Sequence, residues 1–127
     1  QTDLIAVLNE IDLITPNYNE ILKLDSNEKS IEIITAKLAT HCAVLLKGGH
    51  NPDEIGVDYL HIQDGFFRLS PKKTKIFQKH GSGCVLSAAI TANLALEQDL
   101  LNACKNAKNY TKNFLLSNSS QLGNHHV

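Results

Sequence analysis

The residue types able to do chemistry gather at three places in this chain. The sharpest is Gly81-Ser82-Gly83-Cys84, which runs directly into Val85-Leu86-Ser87-Ala88-Ala89-Ile90. Two glycines permit a tight turn and remove side chains that would obstruct a ligand. A helix starting there aims unpaired N–H groups into the space. Its dipole adds about 0.3–1 kcal/mol per anionic charge, up to about 2 when partly buried. Thiols at helix starts ionise more readily than free cysteine, so Cys84 is a candidate reactive thiolate. Spacing alone leaves open a plain strand-to-helix turn with a buried cysteine. The pattern is neither the longer dinucleotide fingerprint nor a Walker loop.

The second place is Lys47-Gly48-Gly49-His50, directly after the apolar run Ala43–Leu46. Ligands of open α/β sheets collect at the carboxyl ends of strands. Lys47 there reads as a phosphate partner, or as a surface lysine beside a turn; His50 reads as loop closure. The third is Asn17 with Glu20, which share a helix face at i, i+3 after a short strand. An amide and a carboxylate suit a water-mediated Mg²⁺ site, because Mg²⁺ keeps several waters. The plainer reading, an N-cap with an acidic residue in the first turn, is preferred on these residues alone. Arg68, Lys72, Lys73, Lys75, Lys79 and His80 concentrate positive charge upstream of the glycine turn. Such a field favours a phosphorylated ligand, although Lys72 and Lys73 read best as solvated. His125-His126 reads as a loose tail.

The whole chain bounds these readings. It has 127 residues, with 12 Lys+Arg against 13 Asp+Glu for a net charge of −1. That balance excludes a generic polyanion binder, so no nucleic-acid partner is expected. Hydrophobic content of 43% and charged content of 20% exclude disorder as the main state. A chain this long buries roughly two-thirds of its extended surface. Apolar runs are too short to span a bilayer, and no signal segment opens the chain, so no membrane partner is expected. Met is absent and Gln1 is first, which points to a processed protein or a piece of a longer one. Cys42, Cys84 and Cys104 are odd in number and widely spaced, suggesting neither a zinc site nor a disulfide framework. Reduced thiols imply a cytoplasmic setting.

The elements that must position these residues follow from periodicity. Leu4–Ile11 reads as the end of a helix and Asp12–Thr15 as a strand stopped by Pro16. Asn17 caps a helix through Leu24. Ser26, Asn27 or Glu28 opens a helix ending near His41. Ala43–Leu46 reads as a strand covered on both faces. Asp58–Ile62 and Phe66–Leu69 flank an Asp64-Gly65 hairpin signal. Lys72–Phe77 reads as a further strand, then Cys84–Gln98 and Leu100–Leu116 as helices, with a loosely held polar tail from Ser117. This order predicts an α/β fold with a mainly parallel sheet and a small antiparallel edge. No internal domain boundary is drawn.

Three ordered segments carry a family resemblance: Thr15-Pro16-Asn17-x-x-Glu20, Val44-Leu45-Leu46-Lys47-Gly48-Gly49-His50, and His80-Gly81-Ser82-Gly83-Cys84-x-x-Ser87-Ala88-Ala89-Ile90. They resemble the carboxy-terminal half of hydroxymethylpyrimidine/phosphomethylpyrimidine kinases, of the ribokinase-like superfamily. The likeness covers nearly the whole chain, including the Leu122-Gly123-Asn124-His125-His126 ending. It implies a three-layer ribokinase-like sandwich with a mostly parallel sheet and helices on both faces. Residues 1–127 would be the nucleotide-side part of one kinase domain, with the amino-terminal half absent.

The resemblance further implies MgATP-dependent phosphorylation of hydroxymethylpyrimidine and then of its monophosphate, for thiamine synthesis. Gly81, Ser82, Gly83 and Cys84 would form the anion hole. Cys84 would stand where most of the superfamily has an Asp base and would accept the hydroxyl proton. Lys47 would contact ATP phosphates, and Asn17 and Glu20 would organise Mg²⁺ through water. The pyrimidine-binding residues would lie in the missing half, so an isolated fragment is not expected to phosphorylate anything. A homodimer is the expected assembly of the intact protein. Ser82 replaces the commoner Thr, a small change because the backbone N–H is the working group. Two alternatives accompany this reading: a pyridoxal/pyridoxine-type kinase, and a non-catalytic nucleotide-binding module.

Overall fold

The chain is described by a computed structural model at residues 2–48, 51–70, 81–118 and 120. It divides into two compact units, Gln1–Pro71 and Lys72–Val127.

In the first unit, helix α1 (Thr2–Leu8) leads to strand β1 (Leu13–Ile14), then to helix α2 (Tyr18–Ile21) and helix α3 (Ile31–Ala39). Strands β2 (Ala43–Leu46), β3 (Asp58–Ile62) and β4 (Gly65–Leu69) follow. The four strands form one sheet in the order β1-β2-β3-β4. β1 and β2 are parallel, with Leu13 opposite Ala43 and Ile14 opposite Val44. That pairing needs a crossover, which α2 and α3 supply. β2 and β3 are antiparallel, as are β3 and β4. Residues 47–57 are too few to carry a covering helix between β2 and β3, so the chain must double back. Antiparallel pairing therefore extends further into the described sheet than an edge hairpin alone. The strand expected at Lys72–Phe77 lies outside the described residues.

Val44, Leu45 and Leu46 are all buried, as an apolar run covered on both faces requires. Each contributes about 1.5–3 kcal/mol relative to exposure. Val44 and Leu46 share a cluster with Leu8, Ile21, Ile34 and Leu38. β2 is thus the strand around which this unit is packed.

α1 and α2 end earlier than the sequence reading has them, at Leu8 and Ile21 rather than Ile11 and Leu24. Two other local differences have a clear physical reason. α3 begins at Ile31, several residues later than expected, because side chains hold 25–30 in turns. Asp25 Oδ1 accepts from the amides of Asn27 and Glu28, and Glu28 Oε1 from those of Lys29 and Ser30. Ser30 then caps α3, its Oγ accepting from Ile33 N. In the hairpin, Gly65 is already paired with Ile62, so the turn is made by Gln63 and Asp64. Gly65 is not left-handed. A Cβ there would lie 2.9 Å from Phe67 Cε2, so the end of that ring would have to shift.

The second unit contains helices α4 (Ser82–Ala95) and α5 (Leu100–Leu116) packed on one another. α4 ends in a Schellman motif: Gln98 N donates to Asn93 O and Glu97 N to Leu94 O. Glu97 takes the left-handed position, φ 63°, where glycine is usual. Asp99 caps α5 by accepting from Asn102 N at 2.9 Å. Asn93 Nδ2 donates to Ala103 O, tying the two helices together.

Candidate functional site

The first unit brings Asn17, Glu20 and Lys47 to one place, at the carboxyl ends of β1 and β2. Lys47 N donates to Pro16 O at 2.9 Å, extending the parallel ladder one step past the strands as an Asn17–Lys47 bridge. Lys47 is half-buried, and its ammonium makes no ion pair among the described residues. Gly48 is closed in by Val57, whose carbonyl oxygen would lie 1.7 Å from any Cβ at position 48. This glycine is thus required by a close backbone approach. Gly49 and His50 lie outside the described residues.

Asn17 and Glu20 form a complete capping box at the start of α2. Asn17 Oδ1 accepts from Asn19 N at 2.9 Å and Glu20 N at 2.8 Å. Glu20 Oε2 accepts from Asn17 N at 2.8 Å. The plainer of the two readings given to this pair is therefore realised. It does not use up the carboxylate, because Glu20 Oε1 forms no hydrogen bond among the described residues. No group of three or more His, Cys, Asp or Glu among the described residues could hold a metal ion. One available carboxylate oxygen fits a cation that keeps its waters and ligand phosphates, as Mg²⁺ does, and does not fit an all-protein cage.

The loop 51–57 frames this corner through residues that the sequence reading passed over. Asn51 N and Gly56 N both donate to Gly48 O. Asn51 Nδ2 donates to Tyr18 Oη at 3.1 Å, linking the loop to α2. Burial raises the Tyr18 pKa, and the Asn51 bond opposes it. Glu54 accepts from Tyr59 Oη and, at 3.0 Å, from Arg68 Nη2. These bonds, Tyr59 first, lower the Glu54 pKa. Arg68 is thereby engaged with Glu54, so its charge is already partnered. The other basic residues of that stretch, Lys72 to His80, lie outside the described residues.

In the second unit, Gly81 is the N-cap of α4 with φ 78° and ψ 10°, a left-handed geometry that glycine adopts without strain. Nothing lies within 4 Å of the position a Cβ would take there. Among the described residues, no side chain caps this helix. The amides of Ser82, Gly83 and Cys84 donate to nothing among the described residues, the first closing bond being Val85 N to Gly81 O. These are the orphan donors that helix starts offer to anions. None of the three cysteines is in a disulfide; Cys42 and Cys104 are buried and Cys84 is exposed. Burial raises the Cys42 pKa, which suits an inert packing role. The buried-cysteine alternative for Cys84 is excluded. Its side chain lines a mainly apolar cavity of about 640 Å³ together with Ala88, Ala92, Asn106 and Tyr110. The four anion-hole candidates and the Asn17–Glu20–Lys47 group fall in different units.

Residues 2–127 match the family described as phosphomethylpyrimidine kinase. Among curated relatives, the hydroxymethylpyrimidine/phosphomethylpyrimidine kinase of Aquifex aeolicus (strain VF5) is 36% identical over 119 residues. That match covers 89% of this chain and 46% of the relative. The chain thus spans a little under half the length of this curated relative. Among solved structures, the pyridoxal kinase from Staphylococcus aureus in complex with AMP-PCP matches with a TM-score of 0.74 at 27% identity. It covers 90% of this chain and 45% of that one. Ribokinase from Thermotoga maritima matches with a TM-score of 0.73 at 18% identity, over 87% of this chain and 38% of that one, a likeness of fold. The α/β class and the ribokinase-like architecture of a partial domain follow from these likenesses.

Proposed function

Because the chain belongs to the phosphomethylpyrimidine kinase family, we propose that the intact protein uses ATP to phosphorylate hydroxymethylpyrimidine and then its monophosphate, in thiamine biosynthesis. Residues 1–127 supply the nucleotide-side part of its single kinase domain, and the pyrimidine pocket comes from the rest of the protein. The observation that carries the reading is the uncapped start of α4, where three amides and an exposed thiol stand together. The isolated part is inactive on this reading. The intact protein works as a homodimer in the cytoplasm, a reducing setting that suits three cysteines outside any disulfide. No helix among the described residues is long and apolar enough to cross a membrane.

The chemistry assigned to each residue follows from its surroundings. The acceptor hydroxyl oxygen bonds to the γ-phosphorus while the bond to the β,γ-bridging oxygen breaks and ADP leaves. Cys84, as thiolate, takes the hydroxyl proton. The amides of Gly81, Ser82, Gly83 and Cys84 face the charge on the transferred group, at a helix start whose dipole has the matching sign. Lys47 neutralises ATP phosphate charge. Glu20, oriented by Asn17, holds the water shell of Mg²⁺, which when bound offsets negative charge on the phosphates. Such transfer depends on positioning and charge neutralisation more than on covalent catalysis.

The test is turnover by the intact protein and its Cys84→Ala variant, with MgATP and either alcohol. Removing a general base lowers kcat by about 10²–10⁴-fold. Unchanged turnover in the variant refutes the role of Cys84. Absence of turnover in the parent protein with both alcohols favours the non-catalytic module. A second reading, a pyridoxal-type kinase, is favoured by the 27% identity to the Staphylococcus aureus pyridoxal kinase. A higher kcat/KM for pyridoxal than for hydroxymethylpyrimidine selects it.

A further inference from the structure

Lys47 is held by the peptide planes on both of its sides. On one side its own N–H donates to Pro16 O at 2.9 Å. On the other, the N–H of Gly48 donates to Asp58 Oδ1 at 2.9 Å, in a buried bond. The first bond is an extension of the β1–β2 ladder. The second is made by a side chain from the opposite end of the loop. Asp58 opens β3 and is 6% exposed. Its register is set by pairing with Leu69. A buried carboxylate is costly unless its oxygens are bonded, so its retention on an apolar strand face calls for a task.

We infer that Asp58 is a positioning residue, which fixes the Lys47–Gly48 peptide plane and so aims the Lys47 side chain at a nucleotide phosphate. The inference rests on the phosphate role proposed for Lys47. With the Pro16 bond alone, rotation about the Lys47 Cα–C bond is free to tilt the following plane. The Asp58 bond removes that freedom. Gly48 permits it, because Val57 O crowds the place where any Cβ would sit. The two loop amides that donate to Gly48 O brace the next carbonyl in the same way.

The experiment uses the intact protein, with rates expressed per folded enzyme. Asp58→Ala is expected to lower kcat/KM for MgATP about tenfold or more, since small misplacements of a positioned group have effects of that order. KM for the alcohol stays unchanged. Asp58→Asn keeps an acceptor oxygen for Gly48 N–H and is expected to retain the parent value within about threefold. Asp58→Leu, which fills the volume without accepting, gives the same reading if the alanine variant does not fold. The defect should vanish in a Lys47→Ala background, where there is no ammonium left to aim. A purely structural role lowers the folded fraction and leaves both KM values and kcat/KM per folded enzyme unchanged, and that result overturns the inference. If Lys47→Ala weakens MgATP use and Asp58→Ala does not, the positioning role alone is lost. If Lys47→Ala has no effect on MgATP, the phosphate role of Lys47 falls first and takes this inference with it.

Discussion

Two glycines of the candidate site are required for different reasons, and the difference is measurable. At Gly48 the constraint is space. A Cβ would meet Val57 O at 1.7 Å, so reaching the 3.0 Å that real Cβ atoms respect needs a displacement of at least 1.3 Å. The obstacle is backbone carbonyl, so no side chain can swing aside. Moving Val57 away pulls on Asp58, its neighbour, and strains the 2.9 Å bond from Gly48 N. Overpacking costs about 1–3 kcal/mol, and a hydrogen bond to a charged group is worth about 1.5–3 kcal/mol. Gly48→Ala is therefore expected to cost about 3–5 kcal/mol, a large share of the roughly 5–15 kcal/mol that holds a domain folded. At Gly81 the constraint is conformation. Space is open there but φ is +78°. Gly81→Ala should cost only the left-handed penalty, about 1–2 kcal/mol.

Urea unfolding of the intact protein, followed by circular dichroism, measures both. A lower midpoint at constant m reports stability rather than a change in the denatured state. The expected order is parent, then Gly81→Ala, then Gly48→Ala. A cost below about 1 kcal/mol at Gly48 would mean that the loop yields without resistance, contrary to the overpacking argument. A larger cost at Gly81 than at Gly48 would refute the assignment of the two causes.

Two further outcomes are expected. Glu20→Gln keeps an oxygen for Asn17 N–H, so stability should hold within about 0.5 kcal/mol, while the Mg²⁺ concentration needed for half-maximal activity rises; an unchanged Mg²⁺ requirement removes the metal role and leaves the cap. His61 packs edge-on against Phe66 at 4.8 Å, and burial lowers its pKa below the ordinary 6.5; the unfolded chain then takes up the proton first, so this contribution to stability is present above pH 6.5 and is lost as pH falls through 6.5 towards the lowered folded value. His61→Phe should flatten that part of the pH dependence of the urea midpoint, and an unaltered slope would assign it to other groups.

What the sequence disclosed followed periodicity and apolar runs. β2 and α5 have the limits that their hydrophobic patterns suggested, because burial of those positions is what forms them. The strand-end placement of Asn17 and Lys47 was legible for the same reason. The start of α3 was not, since competition by Asp25 and Glu28 for nearby amides depends on side-chain conformation. Gly65 looked like a turn residue because Asp-Gly favours turns, yet it is already paired with Ile62 in the ladder and is not left-handed. Asp58 left a signal that was overlooked: it shares the alternating phase of Leu60 on β3, so an acid stood where an apolar residue was due. The Tyr18–Asn51 bond joins residues 33 positions apart, and no local pattern announces it.

The treatment of helix starts bears directly on the proposed chemistry. α2, α3 and α5 carry side-chain caps from Asn17, Ser30 and Asp99. α4 begins instead at a glycine, with no side-chain cap among the described residues. Glycine in place of Ser, Thr, Asp or Asn costs only a few tenths of a kcal/mol, so an uncapped start is cheap. Its consequence is large, because a capping side chain would occupy the donors that an anion needs. A cap at position 81 would also bring a Cβ into a left-handed conformation that glycine alone tolerates well. Local folding rules are thus obeyed at the other internal helices and relaxed at the one that presents Cys84. A start without a side-chain cap is what a ligand-binding helix requires, and the left-handed turn at Gly81 is the conformation that provides it.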